Sequence, residues 1–378
     1  MQQVNSENLP LVCVAMSGGV DSAAAALLLS QAGHPVVGVS MQVWDYRKNT
    51  ANHGVNAKKA TCCAPADFND AREVADKLGF PYYVYDFEGS FEKEVIAPFV
   101  DAYLNGETPN PCILCNQKVK FSVLRERAAL LGAEYVATGH YAQILQRADG
   151  SKGLYTAADR AKDQTYFLFG LSQAELDHTI FPVGGMEKPQ VREVLSISGM
   201  SMATKGESQD ICFVTSEVGE FIEKYADRYS DRQIQPGEFI TKAGEKLGSH
   251  SGVHQFTVGQ RRGLNVSGRE RLYVLSVDQD SGTVVLGEKS DLDTKCFQVR
   301  DVNFINQNLP LEFEALVKVR YRSPGYLARV KKLSPTRVEV EFFDQGTAIS
   351  PGQAAVFYAT KKDHTGFVEV FGGGTISK

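Results

Sequence analysis

Two short stretches of this chain combine residue types and spacings that could do chemistry. In the first, Ser17-Gly18-Gly19-Val20-Asp21-Ser22 separates the apolar run that begins at Leu11 from an alanine- and leucine-rich run that ends at Ser30. Two glycines let successive N–H groups converge, and the helix expected after them adds the positive end of its dipole. Together these form an anion cradle suited to phosphate. No lysine follows the glycines, so this is not the Gly-x4-Gly-Lys-Ser/Thr loop. A carboxylate, Asp21, stands in the cradle instead, which suits a divalent cation bridging it to the phosphates. The second stretch is Thr108-Pro-Asn-Pro-Cys112-Ile-Leu-Cys115-Asn116. Its prolines stiffen a loop, and a helix is expected from about Asn116, which puts Cys115 at a helix N-terminus where a thiolate is favoured. Lys118 and Lys120 add positive potential. The Cys-x2-Cys pair is also half of a zinc or iron–sulfur site.

Other residues are candidates on weaker grounds. Cys212, in Gly206-Glu-Ser-Gln-Asp-Ile-Cys-Phe-Val214, is the leading source of a further thiol for that pair. Cys62-Cys63 reads equally as metal-binding or structural, and Cys13 and Cys296 as core. His140 follows Gly139 at a strand end and is read as a ligand contact. Lys162-Asp163-Gln164, with Arg160 nearby, is either a solvated face or a binding cluster. In Lys318-Val-Arg320-Tyr-Arg322, period-two spacing would put the cations on one face of a strand, as a phosphate backbone requires, with Gln260-Arg261-Arg262 extending the patch.

The elements that must position these residues follow from periodicity. Strands are expected at Val36–Met41, Tyr82–Tyr85 and Tyr135–Thr138, and helices at Ala66–Leu78, Phe91–Leu104 and Asn116–Leu131. This alternation predicts an α/β fold with a doubly wound parallel sheet, whose ligands lie beyond the C-terminal strand ends, where Ser17–Ser22 and Thr138–His140 fall. After about residue 213 helical periodicity fades. Short alternating runs at Tyr273–Val277, Val284–Leu286, Leu316–Tyr321, Arg337–Phe343 and Ala354–Tyr358 predict a small β-rich domain and then a β-barrel. The expected domains are 1–213, 214–281 and 282–378, with Val277–Gly282 as a linker or hairpin turn.

Composition bounds the function. The chain has 378 residues, 43% hydrophobic and 22% charged, with a net charge of −5, so any polyanion must be held by a local basic patch. No run reaches the length of a membrane-spanning helix, and the N-terminus lacks the pattern of a signal peptide, so a cytoplasmic protein is expected. Seven cysteines, an odd number, argue for thiol or metal chemistry rather than a disulfide framework.

The Ser17–Ser22 loop resembles the pyrophosphate loop of the ATP pyrophosphatases, which cleave ATP to AMP and pyrophosphate and have an adenine nucleotide alpha hydrolase-like fold. Further motifs narrow the resemblance to the tRNA-specific 2-thiouridylases, which thiolate the wobble uridine of certain tRNAs. They are Thr108-Pro-Asn-Pro-Cys112, Leu114-Cys115-Asn116, Ala137-Thr-Gly-His-Tyr141, Lys162-Asp-Gln164, Ile211-Cys-Phe213, Phe256-Thr-Val-Gly-Gln-Arg261, Arg320-Tyr321 and Pro351-Gly-Gln-Ala-Ala-Val-Phe-Tyr358.

The resemblance implies that Ala15, Met16, Ser17, Gly18, Gly19, Val20, Asp21 and Ser22 hold the phosphates of ATP, with Mg2+ at Asp21. Met41 and Gly139 would line the adenosine site. Asn110, Pro111 and Cys112 would lie by the target base, and Lys162, Asp163, Gln164, Arg320 and Tyr321, with His140 and Gln353, would contact the anticodon arm of tRNA. Cys115 and Cys212 match the family's catalytic cysteines and a transient disulfide. Two departures stand out. Cys112 replaces an aspartate of some members, and Ser208-Gln-Asp210 replaces Ser-Thr-Gly. A third thiol admits a [4Fe-4S] cluster on Cys112, Cys115 and Cys212 as the alternative to a persulfide. A cysteine desulfurase or sulfur-relay protein would be the donor. The rival readings are a different adenylating enzyme and a non-catalytic RNA-binding protein.

Overall fold

The computed structural model describes residues 9–44, 65–206, 211–214, 216–266, 271–344 and 346–377. Cys62-Cys63 and Ser208-Gln-Asp210 lie outside the described residues. The chain forms two compact units, each assembled from separated stretches: 1–94, 112–215 and 362–370 in one, 95–111, 216–361 and 371–378 in the other.

The first unit is built on a parallel sheet. β1 (Val12–Ala15), β2 (Val36–Gln42), β3 (Tyr82–Asp86) and β4 (Tyr135–Ala137) belong to it. β5 (Gln143–Gln146) and β6 (Lys152–Tyr155) form a hairpin outside it, and β7 (Thr179–Ile180) completes the order β3-β2-β1-β4-β7. All four pairings in this sheet are parallel. The apolar runs Val12–Val14 and Val36–Val39 are buried throughout, because parallel strands are covered on both faces.

Helix α1 (Val20–Gln31) follows the glycine turn and buries Ala23, Ala24, Ala25, Ala26 and Leu27. A helix that is apolar all round fits only between other layers. α2 (Pro65–Leu78) ends at Gly79, and Glu88–Leu104 is one helical run with wide, π-type turns at Glu92–Ile96 before α3 (Ala97–Leu104). The Cys-x2-Cys segment also differs from expectation. The helical run begins at Pro111, where proline's fixed φ suits a first turn, and widens into π-type turns at Cys115–Val123 before α4 (Leu124–Leu130). Cys115 is therefore a turn inside the helix, and Cys112 is the thiol in the first turn. α5 (Lys188–Ile197) packs on α1.

The second unit holds α6 (Val218–Tyr229), a helix not expected from the sequence, with Phe221, Ile222, Tyr225 and Ala226 on its buried face. Next come β8 (Gly237–Thr241), β9 (Lys246–His250), β10 (Tyr273–Asp278) and β11 (Thr283–Gly287), in one sheet of order β10-β11-β8-β9. Residues 279–282 are the turn of the β10–β11 hairpin.

β12 (Cys296–Phe304), β13 (Glu312–Lys318), β14 (Tyr326–Ser334), β15 (Arg337–Phe342), β16 (Ala354–Tyr358) and β17 (Glu369–Ile376) come last, in the order β12-β15-β14-β13-β16-β17, and β12–β17 pairing closes them into a barrel. In the first unit, Glu369 and Val370 pair with Tyr155 and Leu154 of β6. The expected strand Leu316–Tyr321 stops at Lys318, and Arg320 and Arg322 lie in the turn toward β14. Lys318, Arg320 and Arg322 are thus not a line of cations on one strand.

Candidate active site

The loop after β1 is tied from both sides. Met16 N–H donates to Val39 O (2.8 Å), and Ser40 Oγ donates to Met16 O (2.5 Å). Within the loop, Ser17 N–H donates to Ser22 Oγ (3.2 Å) and Ser22 Oγ donates to Gly19 O (3.1 Å), so the hydroxyls fix the turn. Gly18 has φ +67°, and a Cβ there would come within 2.2 Å of Asp67 O at the start of α2. Met41 lies near the C-terminal end of β2, the end of the sheet that carries the loop. Gly139 follows β4, and its Cβ would meet the Asp21 carbonyl carbon at 2.5 Å, so only glycine permits this contact.

Asp21 sits in the first turn of α1 and faces a lysine from far along the chain. Lys188 Nζ donates to Asp21 Oδ1 (2.8 Å) and Oδ2 (2.9 Å), and Tyr141 OH donates to the same Oδ1 (2.8 Å). The Lys188 ammonium also lies 5.7 Å from the Tyr141 ring centroid. Its side chain is 10% exposed, that of Asp21 32%. A cation in the first turn of α5 opposes that helix's dipole, so the Asp21 carboxylate is what makes the placement favourable. A second lysine, Lys205, donates to Gly18 O (2.9 Å), Asp67 Oδ1 (2.7 Å) and Asp70 Oδ2 (2.5 Å). Burial opposes the charge of Lys205, but these two carboxylates outweigh it and raise its pKa. The cradle therefore has lysines on both flanks although none follows its glycines.

The sequence-predicted RNA contacts divide. Asp163 is buried and fully engaged: its carboxylate accepts from Ala157 N–H (2.7 Å), Thr165 N–H (3.2 Å) and Thr165 Oγ1 (2.5 Å). Gln164 brackets Tyr141, its Oε1 accepting from Tyr141 N–H and its own N–H donating to Tyr141 O, both at 2.9 Å. Of the three, Lys162 alone keeps a half-buried cationic side chain. His140 pairs Nδ1 with Thr138 Oγ1 (2.6 Å) and packs in a three-ring cluster with Phe121 and Phe181. Burial, and then Lys120, push its pKa well below the usual histidine value.

Beside Cys115, Asn116 is buried, with Nδ2 donating to Phe167 O (3.0 Å) and Oδ1 lacking a partner. Phe213, next to Cys212, is anchored against Trp44 and Phe91 with ring centroids 6.4 and 5.6 Å away. None of Cys13, Cys112, Cys115, Cys212 and Cys296 is in a disulfide. Among the described residues no three His, Cys, Asp or Glu side chains are gathered to hold a metal ion.

Asn110, Pro111, Arg320, Tyr321 and Gln353 belong to the second unit. There Arg320 Nη2 donates to Val258 O (3.2 Å) and Ser350 Oγ (3.0 Å). Gln353 Nε2 donates to Thr108 O (2.6 Å).

Comparison with known proteins matches three family models in succession: a tRNA methyl transferase HUP domain at residues 11–216, a tRNA methyl transferase PRC-barrel domain at 220–288 and an aminomethyltransferase β-barrel domain at 294–376. A protein of Geobacter metallireducens named tRNA-specific 2-thiouridylase is 44% identical over 365 residues, spanning 97% of this chain and 96% of its own. A protein of the same name from Geotalea uraniireducens is 44% identical over 92% of this chain and 91% of its own, and one from Rickettsia massiliae is 41% identical over 97% and 96%. The chain belongs to the tRNA-specific 2-thiouridylase family.

Within that family frame, Lys188 and Lys205 are residues that sequence reasoning missed. A lysine opening a helix, against the dipole, is the one local signal that Lys188 offers. Lys205 offers none.

Proposed function

We propose that this chain is a tRNA 2-thiouridine synthase, which activates the wobble uridine with ATP and replaces its C2 oxygen with sulfur. The phosphate loop carries the reading: Ser17–Ser22 in its glycine turn, at the head of a buried helix, with a carboxylate in place. ATP phosphates would lie against the amides of Ala15 to Ser22, the adenosine against Met41 and Gly139. Asp21 would hold magnesium, whose chemistry is to neutralise charge on the phosphates.

The uridine O2 attacks the α-phosphorus, pyrophosphate leaves against the loop amides, and the base carries AMP as its leaving group. Such chemistry needs the base out of its stack, beside Asn110, Pro111 and Cys112. We take the persulfide route for the sulfur. The terminal sulfur of a Cys212 persulfide attacks C2 and AMP departs. The Cys115 thiolate then attacks the Cys212 sulfur, releasing 2-thiouridine and leaving a Cys115–Cys212 disulfide for an external dithiol to reduce. A cysteine desulfurase or relay protein would reload Cys212. Lys162, Arg320, Tyr321 and His140 are read as lying along the anticodon arm, with Asp163 and Gln164 shaping that segment from within. We also read the chain as three modules, with the second boundary after β11, so that its hairpin stays whole.

Incubation with ATP, tRNA and a persulfide donor tests the reading. AMP and 2-thiouridine are expected in equal amounts, whereas tRNA binding without AMP would overturn it.

A further inference from the structure

Thr108 is held by every polar group it has. Its N–H donates to Pro351 O (2.8 Å), its carbonyl accepts from Gln353 Nε2 (2.6 Å), and its Oγ1 donates to Thr257 Oγ1 (3.1 Å). Between the two barrel contacts lies Gly352, at φ +88°, whose Cβ would sit 2.7 Å from Thr108 N. The residue before is clamped too, because Arg300 Nη2 reaches both Glu107 carboxylate oxygens, at 2.9 and 2.7 Å. The anchors are themselves fastened: Ser350 Oγ donates to Val258 O (3.0 Å), and Arg320 reaches both of those groups.

The chain continues from Thr108 as Pro109-Asn110-Pro111. Proline fixes its own φ and confines the preceding residue to extended backbone, so both Thr108 and Asn110 are restricted. The direction set at Thr108 is carried to Asn110 with few soft torsions between.

We propose that Gln353 and Thr257 are positioning residues that hold Thr108 so that the Thr-Pro-Asn-Pro segment presents Asn110 in one fixed pose. This rests on the reading of Asn110 to Cys112 as the loop beside the target base. It gives Gln353 a role in turnover, through the orientation of that loop, where a residue that contacts only RNA would act on affinity.

Gln353→Leu removes the donor and keeps the bulk. Misplacement of a reacting group by about 1 Å costs on the order of 100-fold, so turnover for tRNA-dependent AMP release should fall about 10-fold or more. Loss of one positioning contact outside the phosphate interface should leave the tRNA Kd within about twofold. Hydrogen exchange at the Thr108 amide should accelerate in the same variant. A weakened Kd with turnover intact, or an unchanged Thr108 amide, overturns the proposal.

Thr257→Val, which loses only the hydroxyl, should lower turnover in the same sense, and Thr257→Ser should recover most of the loss. This pair decides the matter if the Gln353 variant fails to fold, because equal turnover in Val and Ser variants also overturns it. If the unaltered protein releases no AMP with tRNA, the proposed function fails, while the exchange measurement still reports on the anchor.

Discussion

Asp21 and Lys188 form a pair in which Lys188 depends on Asp21. An ammonium at a helix N-terminus is unfavourable alone, whereas Asp21 in the first turn of α1 suits the dipole there and supplies the carboxylate that Lys188 needs. The pair should behave as a unit in a double-mutant cycle. Asp21→Asn and Lys188→Met should each destabilise the protein, with the double variant less destabilised than their sum. Because Asp21 is a third exposed, a coupling of about 1–2 kcal/mol is expected rather than the larger value of a fully buried pair. Denaturant unfolding of the four proteins measures it, and strict additivity would reduce the contact to an incidental one. This pairing is illegible in the sequence for a plain reason. The partners are 167 residues apart, and nothing in the local pattern around either one names the other.

At the scale of elements, the segment 157–165 is organised around Asp163. Its carboxylate gathers two backbone amides and a hydroxyl, so Asp163→Asn should cost about 2–3 kcal/mol through lost charge-assisted bonds. Thermal unfolding should register that loss, and tRNA affinity should fall only as a consequence. A variant of unchanged stability that binds tRNA poorly would restore Asp163 as a direct contact.

The same scale separates the legible elements from the illegible ones. The central strands β1 and β2 are legible because double-sided burial leaves continuous apolar runs such as Val36–Val39, whereas the two-residue β7 is too short to leave a pattern. The cation line fails because β13 and β14 are joined by a turn in which Ser323 N–H donates to Arg320 O (3.1 Å), and room for that turn ends the strand at Lys318. Helix α6 escapes notice although Phe221, Ile222, Tyr225 and Ala226 have helical spacing, since the glycine-rich segments after it dominate the pattern. The glycine turn of the phosphate loop is legible because its parts are local, the glycines, the hydroxyls and Asp21 all within six consecutive residues, whereas the flanking Lys188 and Lys205 come from far along the chain.

At the scale of the molecule, family models and compact units divide the chain differently. The HUP-domain model ends at residue 216, whereas the unit containing the phosphate loop also takes in 362–370 and omits 95–111. In that unit Arg147 Nε pairs with Glu369 Oε1 at 2.6 Å, with side chains 9% and 13% exposed. A fragment of residues 1–216 leaves Arg147 buried without its carboxylate, a defect of about 3–5 kcal/mol. Such a fragment should lack a cooperative thermal transition, and adding Arg147→Met should recover part of its stability. A sharp transition at the full-length temperature would mean that the HUP segment is self-sufficient.

β17 comes after every strand it joins: β6, β12 and β16 all precede it in the chain and pair with it. Vectorial synthesis therefore presents three unpaired strand edges to solvent until Glu369–Ile376 has left the ribosome. A nascent chain that stalls upstream of that strand carries open edges that invite sheet-to-sheet association. Chains interrupted there are the ones that quality control must clear, whatever the integrity of their phosphate loop.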